Sequence, residues 1–268
     1  MDTEGNLPEM SFWEHLDALR SVLIKIVVLL AVTMIGFFVA MPSMFDSVIL
    51  APCDGNFVLY RVLSKIASIV PGCPELTTDG YHVGLINIEL TSQFMVHMTT
   101  SFWLALVFSF PAVIYLLWTF VEPALYPNEK RGARRAFLAG NLMFFLGVAM
   151  GYFIVFPVSL RFLADYHVSE LVPNQVSLDS YMDTFLSLIF LMGLVFEFPL
   201  VAWMLGKMGV LHRDFFSKFR RHAVVALLIV AAFITPGDIF STIVVFVPIY
   251  CLYEMSALLV KPAPADEG

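Results

Sequence analysis

Long apolar runs separated by shorter polar connections set the pattern of this chain. Uninterrupted runs cover residues 22–44, 94–121, 136–158, 182–206, 222–234 and 239–260, with Pro111 inside the second and Pro248 inside the last. Coiled as helices, runs of about 20 apolar residues match the hydrocarbon thickness of a bilayer. The pattern predicts an all-α polytopic membrane protein with six transmembrane helices, the last two short. The fifth run is the weakest. About 13 helical residues rise about 20 Å, against a hydrocarbon core of about 30 Å. It crosses if the bilayer thins locally or its neighbours tilt; otherwise it is re-entrant or interfacial.

Composition strengthens the membrane reading. Of 268 residues, 59% are hydrophobic and 14% charged, and the mean hydropathy is +0.84. A soluble domain carries about 25% charged residues. The positions of the basic residues then orient the chain. Arg20 and Lys25 flank the first run. Lys130, Arg131, Arg134 and Arg135 lie in the second-to-third connection, and Lys207, Arg213, Lys218, Arg220 and Arg221 in the fourth-to-fifth. Lys261 lies in the tail, which leaves only Arg61, Lys65 and Arg161 of the 15 basic residues on the other side. Basic residues stay on the cytoplasmic side. Both termini are therefore expected inside, in a single six-span domain. Its parts are a cytoplasmic amino-terminal helix (1–21), cytoplasmic loops (122–135 and 207–221) and tail (261–268), and external segments (45–93 and 159–181).

Residues 1–10 are polar and acidic, without the basic start or cleavage site of a signal peptide. The first run is read as a retained span. Without an Arg-rich transit peptide, the expected location is a bacterial cytoplasmic (inner) membrane. Trp13, Tyr115, Trp118, Tyr126, Tyr152, Tyr181, Trp203 and Tyr253 fall near span ends, where interfacial anchors belong. Cys53 and Cys73 share the first external segment and could pair in an oxidising compartment, although spacing alone does not bring them together. No His/Cys spacing suggests zinc, no cofactor is implied, and no basic patch interleaved with aromatics suggests nucleic acid.

Three stretches carry candidate chemistry. At the amino terminus, Ser11 and Glu14 form a capping box, and Phe12, Leu16, Leu19 and Leu23 make an apolar stripe. Glu14 and Asp17 lie on a neighbouring face. This is either a capped interfacial helix or an acidic docking surface for a basic peptide. In the first cytoplasmic connection, Pro123 and Pro127 forbid a continuous helix. Glu129 then leads into the basic cluster. It either pairs locally with a lysine or faces the guanidinium of a ligand, for which a carboxylate is the natural bidentate partner. Glu197 is expected well inside the fourth span, two residues before Pro199. An ionisable group at that depth costs about 2.5–3.5 kcal/mol on insertion scales and is functional by default. Thr235-Pro236-Gly237-Asp238 reads as a tight external turn with Asp238 capping the sixth span. Signatures of hydrolases, zinc peptidases and nucleotide-binding loops are absent, so the chain is not expected to be an enzyme.

Together these segments resemble the TatC family, the multispanning receptor subunit of the twin-arginine protein translocase. His15-Leu16-x-x-Leu19-Arg20 looks like the family's amino-terminal motif. Phe120-x-x-Pro123-Ala124-Leu125-Tyr126-x-x-Glu129-x-Arg131 looks like its first-loop motif. Phe196-Glu197-x-Pro199, the stretch from Gly151 to Pro157, and Thr235-Pro236-x-Asp238 follow in the family's order. The resemblance implies binding of twin-arginine signal peptides on folded passengers. It also implies TatA- and TatB-type single-span partners, use of the proton-motive force, and a place in a membrane complex in which the chain can itself oligomerise. By motif position Leu19, Arg20, Phe120 and Glu129 belong to the signal-peptide site, and Glu197 is an intramembrane polar site that meets partner helices. Pro52, Tyr152 and Asp238 match positions of functional weight without a clear role. One departure stands out: Ala18 occupies a position where the family commonly has Glu. Glu14, four residues back on the same face, is the preferred substitute carboxylate, and Asp17 the other. The rival reading is a secondary transporter with its polar site around Glu197, which would show internal repeats and paired broken helices.

Overall fold

The computed structural model describes residues 12–69, 80–121, 127–169, 171, 174–207, 209–235 and 239–260. They form a mostly helical bundle whose helices run back and forth between two ends. Among the described residues, five helical stretches are long and apolar enough to cross a membrane: Leu16–Cys53, Ser92–Phe120, Phe137–Asp165, Leu178–Lys207 and Ile239–Leu259. They fall on the first, second, third, fourth and sixth apolar runs.

Helix α1 (Phe12–Met44) joins the amino-terminal amphipathic stretch to the first span without a break. It continues through a π-helical turn (Phe45–Ile49) and a 3-10 turn (Ala51–Cys53). After it, α2 (Val58–Ile69) is a short amphipathic helix outside the predicted spans. Helix α3 (Ser92–Val121) packs along α1 in the opposite direction. The Ser109 hydroxyl donates to Thr33 Oγ1 at 3.1 Å, Phe37 meets Phe108, and farther along Phe38 stacks on His97. Pro42 explains the His97 contact. Its missing N–H deprives the Phe38 carbonyl of a helical partner, and His97 Nε2–H of α3 donates to that carbonyl at 2.8 Å.

Helix α4 (Pro127–Met150) starts on a proline, which tolerates the first helical position because no N–H is needed there. A π-helical turn (Gly151–Val155) leads directly into α5 (Phe156–Asp165). The third helical stretch thus runs seven residues past the expected boundary at 158, so the first part of the segment expected to be an external connection is helix. The π turn adjusts the backbone just before Pro157, which then sits in the first turn of α5.

The fourth run is not one helix. Helix α6 (Leu178–Phe196) stops at Glu197 and α7 (Phe198–Lys207) restarts. Glu197 therefore lies well inside the fourth span, as expected, but at a one-residue break between two helices rather than in continuous helix. Pro199, with no N–H to give the Val195 carbonyl, takes a place in the first turn of α7, and the Glu197 carbonyl accepts from the Leu200 and Val201 amides at 3.0 and 3.1 Å. Helices α4 and α6 pack closely because glycine lines their contact. A Cβ on Gly147 would come 2.5 Å from the Met192 carbonyl oxygen, and one on Gly193 would come 2.8 Å from the Phe144 ring. Small residues of this kind let membrane helices approach.

Helix α8 (Arg213–Ile234) is not among the five candidate spans. Its first half carries Arg213, Asp214, Lys218, Arg220 and Arg221. It nevertheless lies antiparallel along the whole of α9 (Ile239–Leu259). Phe216 and Arg220 near its start bond to Tyr253 and Glu254 near the end of α9, and Thr235 just past its end meets Thr242.

Two ends of the bundle follow from this course. The basic end holds the starts of α1, α4 and α8 and the ends of α3 and α7. The capped end holds the finish of α1, all of α2, and a two-residue parallel pair of β1 (Leu85–Ile86) with β2 (Val176–Ser177). The pair joins the two segments that the sequence reading kept separate. The start of α3 is tied there to the start of α6, where the Ser92 hydroxyl donates to Asp179 at 2.6 Å.

Candidate functional site

The opposite courses of α1 and α3 bring the start of one beside the end of the other. Asp17 and Arg20 are exposed on the first turns of α1, with Ala18 and Leu19 half-buried between them. Neither Asp17 nor Arg20 has an ion-pair partner among the described residues. Phe120 is half-buried in the last turn of α3. Glu129 falls in the first turn of α4, two residues after Pro127. The fold thus collects Asp17, Leu19, Arg20, Phe120 and the backbone of Glu129 at the basic end. Ser11, the side chains of Glu14 and Glu129, and the connection 122–126 lie outside the described residues.

Glu197 is the second feature. Its carboxyl group lies over Gly140 of α4, where an added Cβ would come 2.9 Å from Oε2 and 2.6 Å from Leu200 Cδ2. Its Oε1 is buried and has no hydrogen-bond partner among the described residues, and the same is true of Asn141 Oδ1 one residue beyond Gly140. Buried oxygens of this kind are exceptions in native structures. Glu197 also lines a groove of about 650 Å³ between α6–α7 and α8–α9. Every other lining residue is apolar, among them Leu194, Val201, Leu227, Phe233 and Leu252. Glu197 is the one ionisable residue in an otherwise apolar lining.

At the capped end three tyrosines hold the finish of α1. Helix ends leave carbonyls without partners. Tyr152 Oη donates to the Val48 carbonyl at 2.8 Å, and Tyr181 Oη to that of Ile49 at 2.6 Å. Tyr60 Oη lies 3.1 Å from the Pro52 carbonyl and 3.0 Å from that of Pro157, sharing its hydrogen between them. Pro52 and Tyr152, matched to the family without a role, thereby gain one: they belong to the latch that fixes the first span's end. Tyr152 and Tyr181 were expected to be interfacial anchors, as was Tyr253. Tyr181 is only 2% exposed and Tyr253 only 6%, and all three turn inward because each hydroxyl supplies a donor to a backbone carbonyl. Trp13 and Tyr115 are exposed, as anchors should be.

Beside the latch, the Arg161 guanidinium stacks over the Tyr81 and Tyr60 rings. Burial is the main reason that the Tyr81 hydroxyl is pushed up to about 12 and that of Tyr60 is also raised. Both phenols stay neutral near pH 7. Cys53 is a buried free thiol. Cys73 and Asp238 lie outside the described residues.

The sequence reading missed Tyr60 and the inward role of Tyr181, since a tyrosine at a span end looks the same whether it faces lipid or a carbonyl. It also missed Gly140 and Gly147, whose seven-residue spacing was a visible signal for a close helix contact.

These features define a multi-pass helical membrane protein with a basic, polar end and a carboxyl group set among its membrane helices. The family model described as Sec-independent protein translocase protein (TatC) matches residues 14–248. The chain is 34% identical to TatC of Blattabacterium sp. subsp. Periplaneta americana over 96% of each chain. It is 35% identical to TatC of Helicobacter pylori over 72% of this chain and 78% of that one. A crystal structure of the twin arginine translocase receptor TatC superposes with a TM-score of 0.70 at 28% identity, covering 92% of this chain and 97% of that one. The chain belongs to the TatC family of Sec-independent protein translocase proteins. It is accordingly a multi-pass protein of the bacterial inner membrane with a role in transport.

Proposed function

We propose that this chain is the receptor and core subunit of a twin-arginine translocase. Acidic side chains at its basic end, on the cytoplasmic face, bind the paired arginines of signal peptides on folded passengers. The observation that carries this reading is that the antiparallel course of α1 and α3 puts the start of α1, the end of α3 and the start of α4 at one end of the bundle, with Asp17 exposed and without an ion-pair partner among the described residues. Glu129 and either Glu14 or Asp17 supply the two carboxylates that two guanidiniums favour. Leu19 and Phe120 offer apolar surface beside them.

The chain crosses the membrane six times with both termini inside. The distribution of basic residues supports this, as does the course of α8 along the full length of α9. TatA- and TatB-type single-span proteins are the partners, and the groove at Glu197 suits an apolar helix carrying one polar group. Export draws on the proton-motive force. A small-solute transporter is the weaker reading, because the groove gives a polar solute a single polar contact.

The test is binding of a labelled twin-arginine signal peptide to the purified protein in detergent, against its Lys-Lys counterpart and against Glu129→Ala. Both changes are expected to weaken binding about tenfold or more, in line with loss of a charge-assisted contact of about 1.5–3 kcal/mol. Equal binding of the Arg-Arg and Lys-Lys peptides would refute the receptor reading. In the same assay Glu14→Gln is expected to weaken binding more than Asp17→Asn, and unchanged affinity in both removes the idea that either replaces the carboxylate missing at Ala18.

A further inference from the structure

At the capped end a second cavity, of about 360 Å³, opens between α2, α5 and the start of α9. Its lining differs in kind from that of the groove at Glu197. Tyr60, Arg161, Phe162, Asp165, Tyr166 and Phe240 bring together one cation, one anion, two phenols and two phenylalanine rings. Phe162 stacks on Phe240 with ring centroids 4.5 Å apart, and Tyr166 lies 5.9 Å from Phe162, so three rings form a continuous wall. Arg161 and Asp165 stand one helical turn apart on α5, with Nε and Oδ2 3.8 Å from each other. This is a long ion pair, and the Arg161 guanidinium also lies over the Tyr81 and Tyr60 rings.

We infer that this cavity binds the zwitterionic phosphoethanolamine headgroup of a membrane lipid. The phosphate faces Arg161, whose planar donors suit a phosphate oxygen pair. The ammonium faces Asp165 and the aromatic wall, where a carboxylate and ring faces both favour a cation. An anionic headgroup lacking the ammonium leaves the single Arg161 cation shared between its phosphate and Asp165, so the site discriminates against it. The depth of the cavity selects a lipid over a soluble ligand. Asp165 is the last residue of one candidate span and Phe240 the second of another, which sets the cavity at the level where headgroups lie. The apolar side chains of Leu63 and Val158 complete the lining, and Val158 lies one turn deeper than Arg161 in the span Phe137–Asp165.

The protein is to be purified in mild detergent, and retention of added diacyl phosphatidylethanolamine and phosphatidylglycerol measured by native mass spectrometry. Soluble glycerophosphoethanolamine serves as competitor. The expected result is one phosphatidylethanolamine retained per chain, preferred at least fivefold over phosphatidylglycerol and not displaced by the soluble compound at equal concentration. Arg161→Gln should lose the bound lipid. Asp165→Asn should keep a bound lipid but lose the preference, with phosphatidylglycerol retained as well as phosphatidylethanolamine. Because Arg161 also packs on two tyrosines, its variant could unfold; Asp165 is exposed, so its variant decides the question alone. Equal retention of the two lipids by the unaltered protein, an unchanged preference in Asp165→Asn, or displacement by the soluble compound would each overturn the assignment.

Discussion

Single side chains at the capped end show how a residue's chemistry depends on what the backbone around it lacks. Val48, Ile49 and Pro52 lie where α1 unwinds, and each carbonyl would be without a helical partner. Three hydroxyls supply donors, that of Tyr60 from eight residues along the chain and those of Tyr152 and Tyr181 from distant parts of it. Tyr181 is the deepest, and its bond to Ile49 spans 132 residues of sequence. Tyr181→Phe keeps the ring and removes the donor, leaving a buried carbonyl unsatisfied. The expected loss is about 1–3 kcal/mol, read as a lower melting temperature of the detergent-solubilised protein. Tyr115→Phe, at an exposed anchor, should leave the melting temperature unchanged.

Among the elements, proline decides where helices bend and what repairs them. In α1 the repair comes from another helix, through the bond from His97 to the carbonyl freed by Pro42. The contact couples the bend of α1 to the register of α3. His97→Ala should destabilise the protein by about 1–3 kcal/mol, whereas His97→Gln, which keeps an N–H donor, should lose less. Equal losses would show that ring stacking on Phe38, not the hydrogen bond, carries the contact. In the fourth run Pro199 makes the opposite choice, and the helix ends at Glu197 and begins again. The carboxyl group then sits at a joint, with Gly140 leaving it room.

At the scale of the whole molecule, the path of α8 sets the side on which the tail emerges. If it crosses, the carboxyl-terminal tail is inside; if it does not, the tail is outside. Single cysteines at Ser169, Ser217 and Ala265, in a chain whose Cys53, Cys73 and Cys251 are replaced, separate the two paths. With a membrane-impermeant maleimide on intact cells, Ser169→Cys should label. Ser217→Cys and Ala265→Cys should label only after permeabilisation. Labelling of Ala265→Cys in intact cells would remove the sixth crossing.

Much of this architecture was legible from hydropathy. Five of the six runs correspond to helical stretches of membrane-spanning length, and α3 and α9 match their runs to within two residues at each end. The candidate residues at the basic end come from motifs, because Leu19, Arg20 and Glu129 stand in short local patterns, with Asp17 an acidic neighbour of the first. What sequence alone could not supply was contact between distant parts. The β1–β2 pairing, the three-tyrosine latch and the mixed-charge cavity each join segments tens of residues apart or more. A hydropathy pattern records which solvent a segment prefers, a property of each residue taken locally, and so the sequence by itself determined the membrane class, the placing of the spans and the bias of charge. Which carbonyl a hydroxyl reaches, and whether Glu197 lies in a helix or at its break, depend on hydrogen bonds and close packing across the bundle, and only the tertiary structure decided them.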